Sequence, residues 1–99
     1  MFFNNPVYSY NDSSKSLDKY INNISNKFSK TYCNTIKFGI SKEGALAFAI
    51  GETNKEYKNN TLNKFIDYSL LKDKIKFNLE TKCKIYDFPV NKLVELVLN

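Results

Sequence analysis

The chain has 99 residues, enough for one hydrophobic core and not for two, so residues 1–99 are read as a single globular domain. At 42% hydrophobic and 15% aromatic, with eight Phe and seven Tyr, the composition excludes a disordered chain. The net charge of +5 is carried by lysine alone; without His, the commonest general base and metal ligand is missing. Asn, Lys, Ile, Phe and Tyr share A/T-rich codons, so part of the lysine excess reflects a base-composition bias rather than function.

Residues 1–10 are aromatic and aperiodic, with Pro6 as a breaker and a short edge strand as an option over 7–10. Residues 11–14 form a run of helix-capping types. They open a segment in which Leu17, Tyr20, Ile21, Ile24 and Phe28 share one helical stripe, which predicts a helix over 14–29. Residues 31–40 and 45–51 both place large apolar side chains at even positions. A three-residue loop at 42–44 pairs Ile40 with Leu46, Phe38 with Phe48 and Ile36 with Ile50, which predicts a β-hairpin with Gly44 in its turn. The reverse face of the second arm would carry Ala45, Ala47 and Ala49, a flat stripe that another element or a second copy could cover.

The polar stretch 52–60 reads as a loop, and Thr61 as the cap of a second helix ending near Lys72. Residues 74–85 alternate throughout, with Ile75, Phe77, Leu79, Thr81, Cys83 and Ile85 at odd positions and four lysines among the even ones. Period two predicts a strand whose wet face bears Lys74, Lys76, Lys82 and Lys84. Pro89 then opens a last helix with a Val90, Leu93, Val94 and Val97 stripe. The order α-β-β-α-β-α predicts an α+β fold, an antiparallel sheet of three to four strands with helices packed on it.

Little in the chain carries chemistry. The three glycines form no phosphate loop, the serines fit no nucleophile pattern, and the ten acids show no paired motif. Cys33 and Cys83 lie fifty residues apart, match no metal spacing, and are read as two reduced apolar residues, with a disulfide open if they are neighbours. No enzyme activity, cofactor or metal is expected. Residues 1–30 lack a secretory pattern and no apolar run can span a bilayer, so a cytoplasmic protein without membrane association is expected, in a host cell if phage-encoded.

What remains is binding. Size and base composition are like those of small phage and plasmid proteins, which suggests an inhibitor that occupies a host protein's surface. The expected contact residues are Lys74, Lys76, Lys82 and Lys84 of the sheet face, with Tyr86 and Tyr57 as aromatic anchors. The alternative is a lysine-driven, non-specific nucleic-acid binder, weakened by the absence of arginine. A homodimer through a sheet edge or through Ala45, Ala47 and Ala49 is the remaining option.

Overall fold

Residues 31–37, expected as the first arm of a hairpin, instead continue a helix. The structure, a computed structural model, describes residues 5–96. Helix α1 covers Asn5–Lys37, α2 covers Lys42–Tyr57 and α3 covers Tyr68–Lys82. Two 3-10 segments, Thr61–Phe65 and Val90–Glu95, complete the order. Among the described residues there is no strand, so the fold is all-α; the α+β sheet, the 42–44 hairpin, the 7–10 edge strand and the 74–85 strand are all corrected.

The expected stripe of α1 is real and longer than expected. Tyr20, Ile21, Ile24 and Phe28 are buried, and the same face continues through Tyr32 and Cys33. Thr31 and Thr35, which look strand-like in sequence, donate their hydroxyls to the carbonyls of Lys27 and Thr31 at 2.8 and 2.7 Å. Each is thus satisfied inside the helix. The helix stops at Gly39, whose φ of +91° suits a residue without Cβ. There the Gly39 and Ile40 amides donate back to Ile36 and Thr35, at 2.9 and 3.3 Å.

Ser41, not a turn residue, then caps α2 by accepting the Gly44 amide at 3.1 Å. The alanine stripe divides by helical period. Ala45 and Ala49 are buried with Ile50 and Thr53 against α1, while Ala47 is exposed. Their small size lets α2 lie close to α1. Ala45 and Ala49 are thereby used inside the chain, and among the described residues there is no sheet edge.

Asn60 caps the first 3-10 segment through the Leu62 amide at 2.8 Å. Asp67 caps α3 by accepting from Ser69 and Leu70 at 3.0 and 3.2 Å. Leu71, Ile75 and Leu79 are fully buried on one ridge. Phe77, expected beside them, is 63% exposed. Spacings of four belong to both the strand and the helix pattern; spacings of two belong only to the strand.

Helix α1 is the element on which both α2 and α3 pack. After Lys84, at φ 56°, the chain turns back and lays Phe88 edge-on against Phe28 and Tyr32, with centroids 5.9 and 5.1 Å apart. Lys42 grips Asp87 at 2.7 Å and holds its carboxyl below the usual range, fixing the return path at the surface. Leu93 is buried beyond it in a 3-10 segment, and Leu96 just past that segment, where a full helix was expected. The Val94 and Val97 side chains of the expected stripe lie outside the described residues.

At the other end, the Tyr20 hydroxyl donates to Asn63 Oδ1 at 2.6 Å, and Asn63 Nδ2 donates to the Tyr57 carbonyl at 2.9 Å. This buried set ties α1, the end of α2 and the first 3-10 segment together. Burial, with the neighbouring Tyr57 and Tyr68 hydroxyls, pushes the Tyr20 hydroxyl up to about 12.

Candidate functional site

One side of α1 is covered by the returning chain and its Phe88. The other carries Lys27, Lys30, Thr31, Asn34 and Lys37 at helical spacing, with Phe38 just past the helix end, none of them buried. This outward ridge separates two depressions, and Asn34 lines both.

On the α2 side lies an open groove of about 730 Å³. Phe38, Ile40 and Phe48 line it, with Gly44 between the helices and Thr31 and Thr35 along α1. Phe38 is 86% exposed, Phe48 53% and Ile40 48%. Three large apolar side chains left in water around one concavity are unusual for a chain this small, because burying them would release solvent. The register of Ile40 and Phe48 follows from the turn at Gly39 and the Ser41 cap, which start α2 with Gly44 and Phe48 facing α1 on one side. Lys27 and Glu52 supply the polar rim. Lys27 also reaches Glu56 at 3.2 Å.

On the α3 side lies a smaller depression of about 230 Å³. Lys30 and Lys37 from α1 meet Lys82 from α3, over a floor that includes Ser29 and the Cys33–Cys83 disulfide. Asn26 Oδ1 accepts from both Lys82 Nζ and Asn78 Nδ2 at 3.1 Å, fixing the seam between the helices. The expectation of two reduced cysteines is thereby replaced. The sequence could place the pair no closer than fifty residues, whereas helix packing sets their Cα atoms 6.2 Å apart.

The expected lysine face does not exist. At about 100° per residue, a helix sends Lys74 and Lys76 to nearly opposite sides. Lys74 is half-buried, Lys76 pairs with Glu80 at 2.7 Å, and Lys84 lies beyond the helix. Only Lys82 joins other cations, and they come from α1. Tyr86 is exposed near the start of α2, away from Tyr57 at its end, beside Lys84 and Asp87 in a shallow depression. Tyr57 is half-buried and stacks edge-on with Tyr20 at 5.6 Å, so it serves the fold.

Sequence reading missed Phe38, Ile40 and Phe48 as surface groups because a sheet would have buried them. A signal was present: Ala45, Ala47 and Ala49 favour helix strongly over strand. Among the described residues there is no cluster of potential metal ligands, and no helix is long and apolar enough to cross a membrane. Compared with protein-family models, curated proteins and solved structures, the chain matches none.

Proposed function

We propose that this chain is a non-enzymatic binding protein that seats an amphipathic helix of a protein partner in the groove between α1 and α2. The observation that carries this reading is the exposed trio Phe38, Ile40 and Phe48 around one concavity. The groove follows α1 from Lys27 to Phe38, about 17 Å at 1.5 Å per residue. That length matches three turns of a docked helix, with apolar anchors at i, i+4 and i+7. Inhibition of a host protein by a phage- or mobile-element-encoded chain remains the biological setting that size and composition suggest.

The nucleic-acid alternative rested on a four-lysine row that the helix disperses, so it is not the preferred reading. The Cys33–Cys83 bond supports work in an oxidising compartment instead of the expected cytoplasm, where thiols are kept reduced.

The test uses the full chain as bait in an extract of its source cell, with and without nuclease, beside a Phe38→Ser/Phe48→Ser double variant. Both positions are exposed, so the variant should keep its helical spectrum and thermal midpoint. A protein retained by the wild type and lost by the variant, whatever the nuclease treatment, supports the groove. Identical captured sets, or capture abolished by nuclease, overturn it.

A further inference from the structure

Three lysines surround the smaller depression, and none of the side chains lining it is acidic. Three lysines elsewhere have carboxylate partners: Lys27 faces Glu56, Lys42 faces Asp87 and Lys76 faces Glu80. No carboxylate lies within ion-pair distance of Lys30, Lys37 or Lys82 among the described residues. Bringing like charges from two helices together without a counter-charge costs free energy, so the arrangement calls for an anion.

A second observation is independent of charge. Ser29 lines the same depression, is only 2% exposed, and its hydroxyl has no hydrogen-bond partner. A mid-helix serine ordinarily satisfies its hydroxyl on the preceding turn. A buried hydroxyl left unpaired is costly, which an anionic oxygen could relieve. Asn26 holds the Lys82 ammonium at 3.1 Å, and the disulfide fixes the adjacent Cys83 to Cys33 on α1. The third lysine is therefore positioned by the fold.

From this we infer that the depression between α1 and α3 is a phosphate-binding pocket, with Lys30, Lys37 and Lys82 as charge partners and the Ser29 hydroxyl as neutral donor. The group bound is a phosphate or diphosphate, free or carried by a nucleic-acid strand. The site stands apart from the apolar groove, and neither reading needs the other.

The test is a titration of the oxidised, isotope-labelled protein with inorganic pyrophosphate, followed by amide chemical shifts, with sodium chloride at matched ionic strength as control. Saturable shifts centred on Ser29, Lys30, Lys37, Lys82 and Cys83 are expected with pyrophosphate alone. Lys30→Gln/Lys37→Gln should weaken binding at least tenfold, and Ser29→Ala severalfold, with the rest of the spectrum unchanged. Equal shifts from chloride, shifts spread over every lysine, or full affinity in Ser29→Ala leave only a diffuse cationic field and overturn the pocket. A short oligothymidylate identifies the source. Competition with pyrophosphate at these residues assigns the phosphate to a strand; pyrophosphate saturation untouched by the oligonucleotide assigns it to a free ligand.

Discussion

Cys33, deep in the packed face of α1, is bonded to Cys83, the residue that closes α3, with their Cα atoms 6.2 Å apart. The bond links positions separated by 50 residues and so encloses all of α2 and α3 in one loop. It also stands where the chain leaves α3 for the left-handed Lys84 and the return toward Phe88. Covalent closure here restrains both the helix seam and the path of the last segment.

Loss of this bond should be costly. Loop-closure entropy for that separation gives about 4 kcal/mol, and native disulfides of this kind typically contribute about 2–4 kcal/mol. The Cys33→Ser/Cys83→Ser variant is expected to lose stability in that range, measured by urea unfolding against the oxidised parent. Dithiothreitol should lower the parent's midpoint and leave the variant's unmoved. An unchanged parent midpoint after verified reduction would contradict the role given to the bond.

The Tyr20–Asn63 pair should appear in alkaline stability. In the unfolded chain the Tyr20 hydroxyl ionises near 10.0, and in the fold near 12. Between those values the unfolded state has released a proton that the folded state keeps, so stability falls as pH rises, by about 2–3 kcal/mol across the window. Burial pushes Tyr57 and Tyr32 up as well, with the same sign. Tyr20→Phe leaves Asn63 Oδ1 without that donor and should cost about 1–3 kcal/mol at neutral pH. It should also flatten the alkaline decline. Urea midpoints followed from neutral pH to pH 12 check both effects.

Leu79 and Phe77 separate the helix from the alternating strand. Leu79 is fully buried, so Leu79→Ala should cost about 3 kcal/mol through lost transfer energy and a cavity. Phe77 is 63% exposed, so Phe77→Ala should change stability by no more than about 0.5 kcal/mol. Comparable losses at both positions would return the stretch to a strand.

Gly39 and Gly51 should respond to alanine with opposite signs. A Cβ at either meets nothing within 4 Å, so the difference is one of backbone alone. Gly39 has φ +91°, and Gly39→Ala should destabilise by about 1 kcal/mol or more. Gly51 sits on the exposed side of α2, and Gly51→Ala should stabilise by about 0.5–1 kcal/mol. Thermal unfolding of the two single variants is sufficient.

The α1 stripe from Leu17 to Phe28 was legible because its spacings of three and four fit no strand. The later segments were ambiguous because their large residues recur at four. Tyr32 and Ile36, Leu46 and Ile50, and Ile75 and Leu79 lie on one side of either element. The interposed Phe48 and Phe77 completed a strand pattern, and only exposure reveals them as surface groups. Ala45, Ala47 and Ala49 favour helix, and Ser41 and Asp67 cap α2 and α3; the strand reading rested on periodicity alone.

The candidate sites were less legible still. Lys82 was named in the sequence, but its partners Lys30 and Lys37 lie on another helix and about fifty residues away. The amino-acid order by itself determined the buried ridge of the first helix, the lysine-only basic charge and the lack of a recognisable catalytic motif. Tertiary packing decided that Cys33 meets Cys83, that Phe38 and Phe48 stay in water, and that cations from α1 and α3 share one depression. Local spacing constrains which side chains share a face of one element. Which faces then meet depends on contacts between distant segments, where burial and close approach of small residues outweigh any short-range pattern.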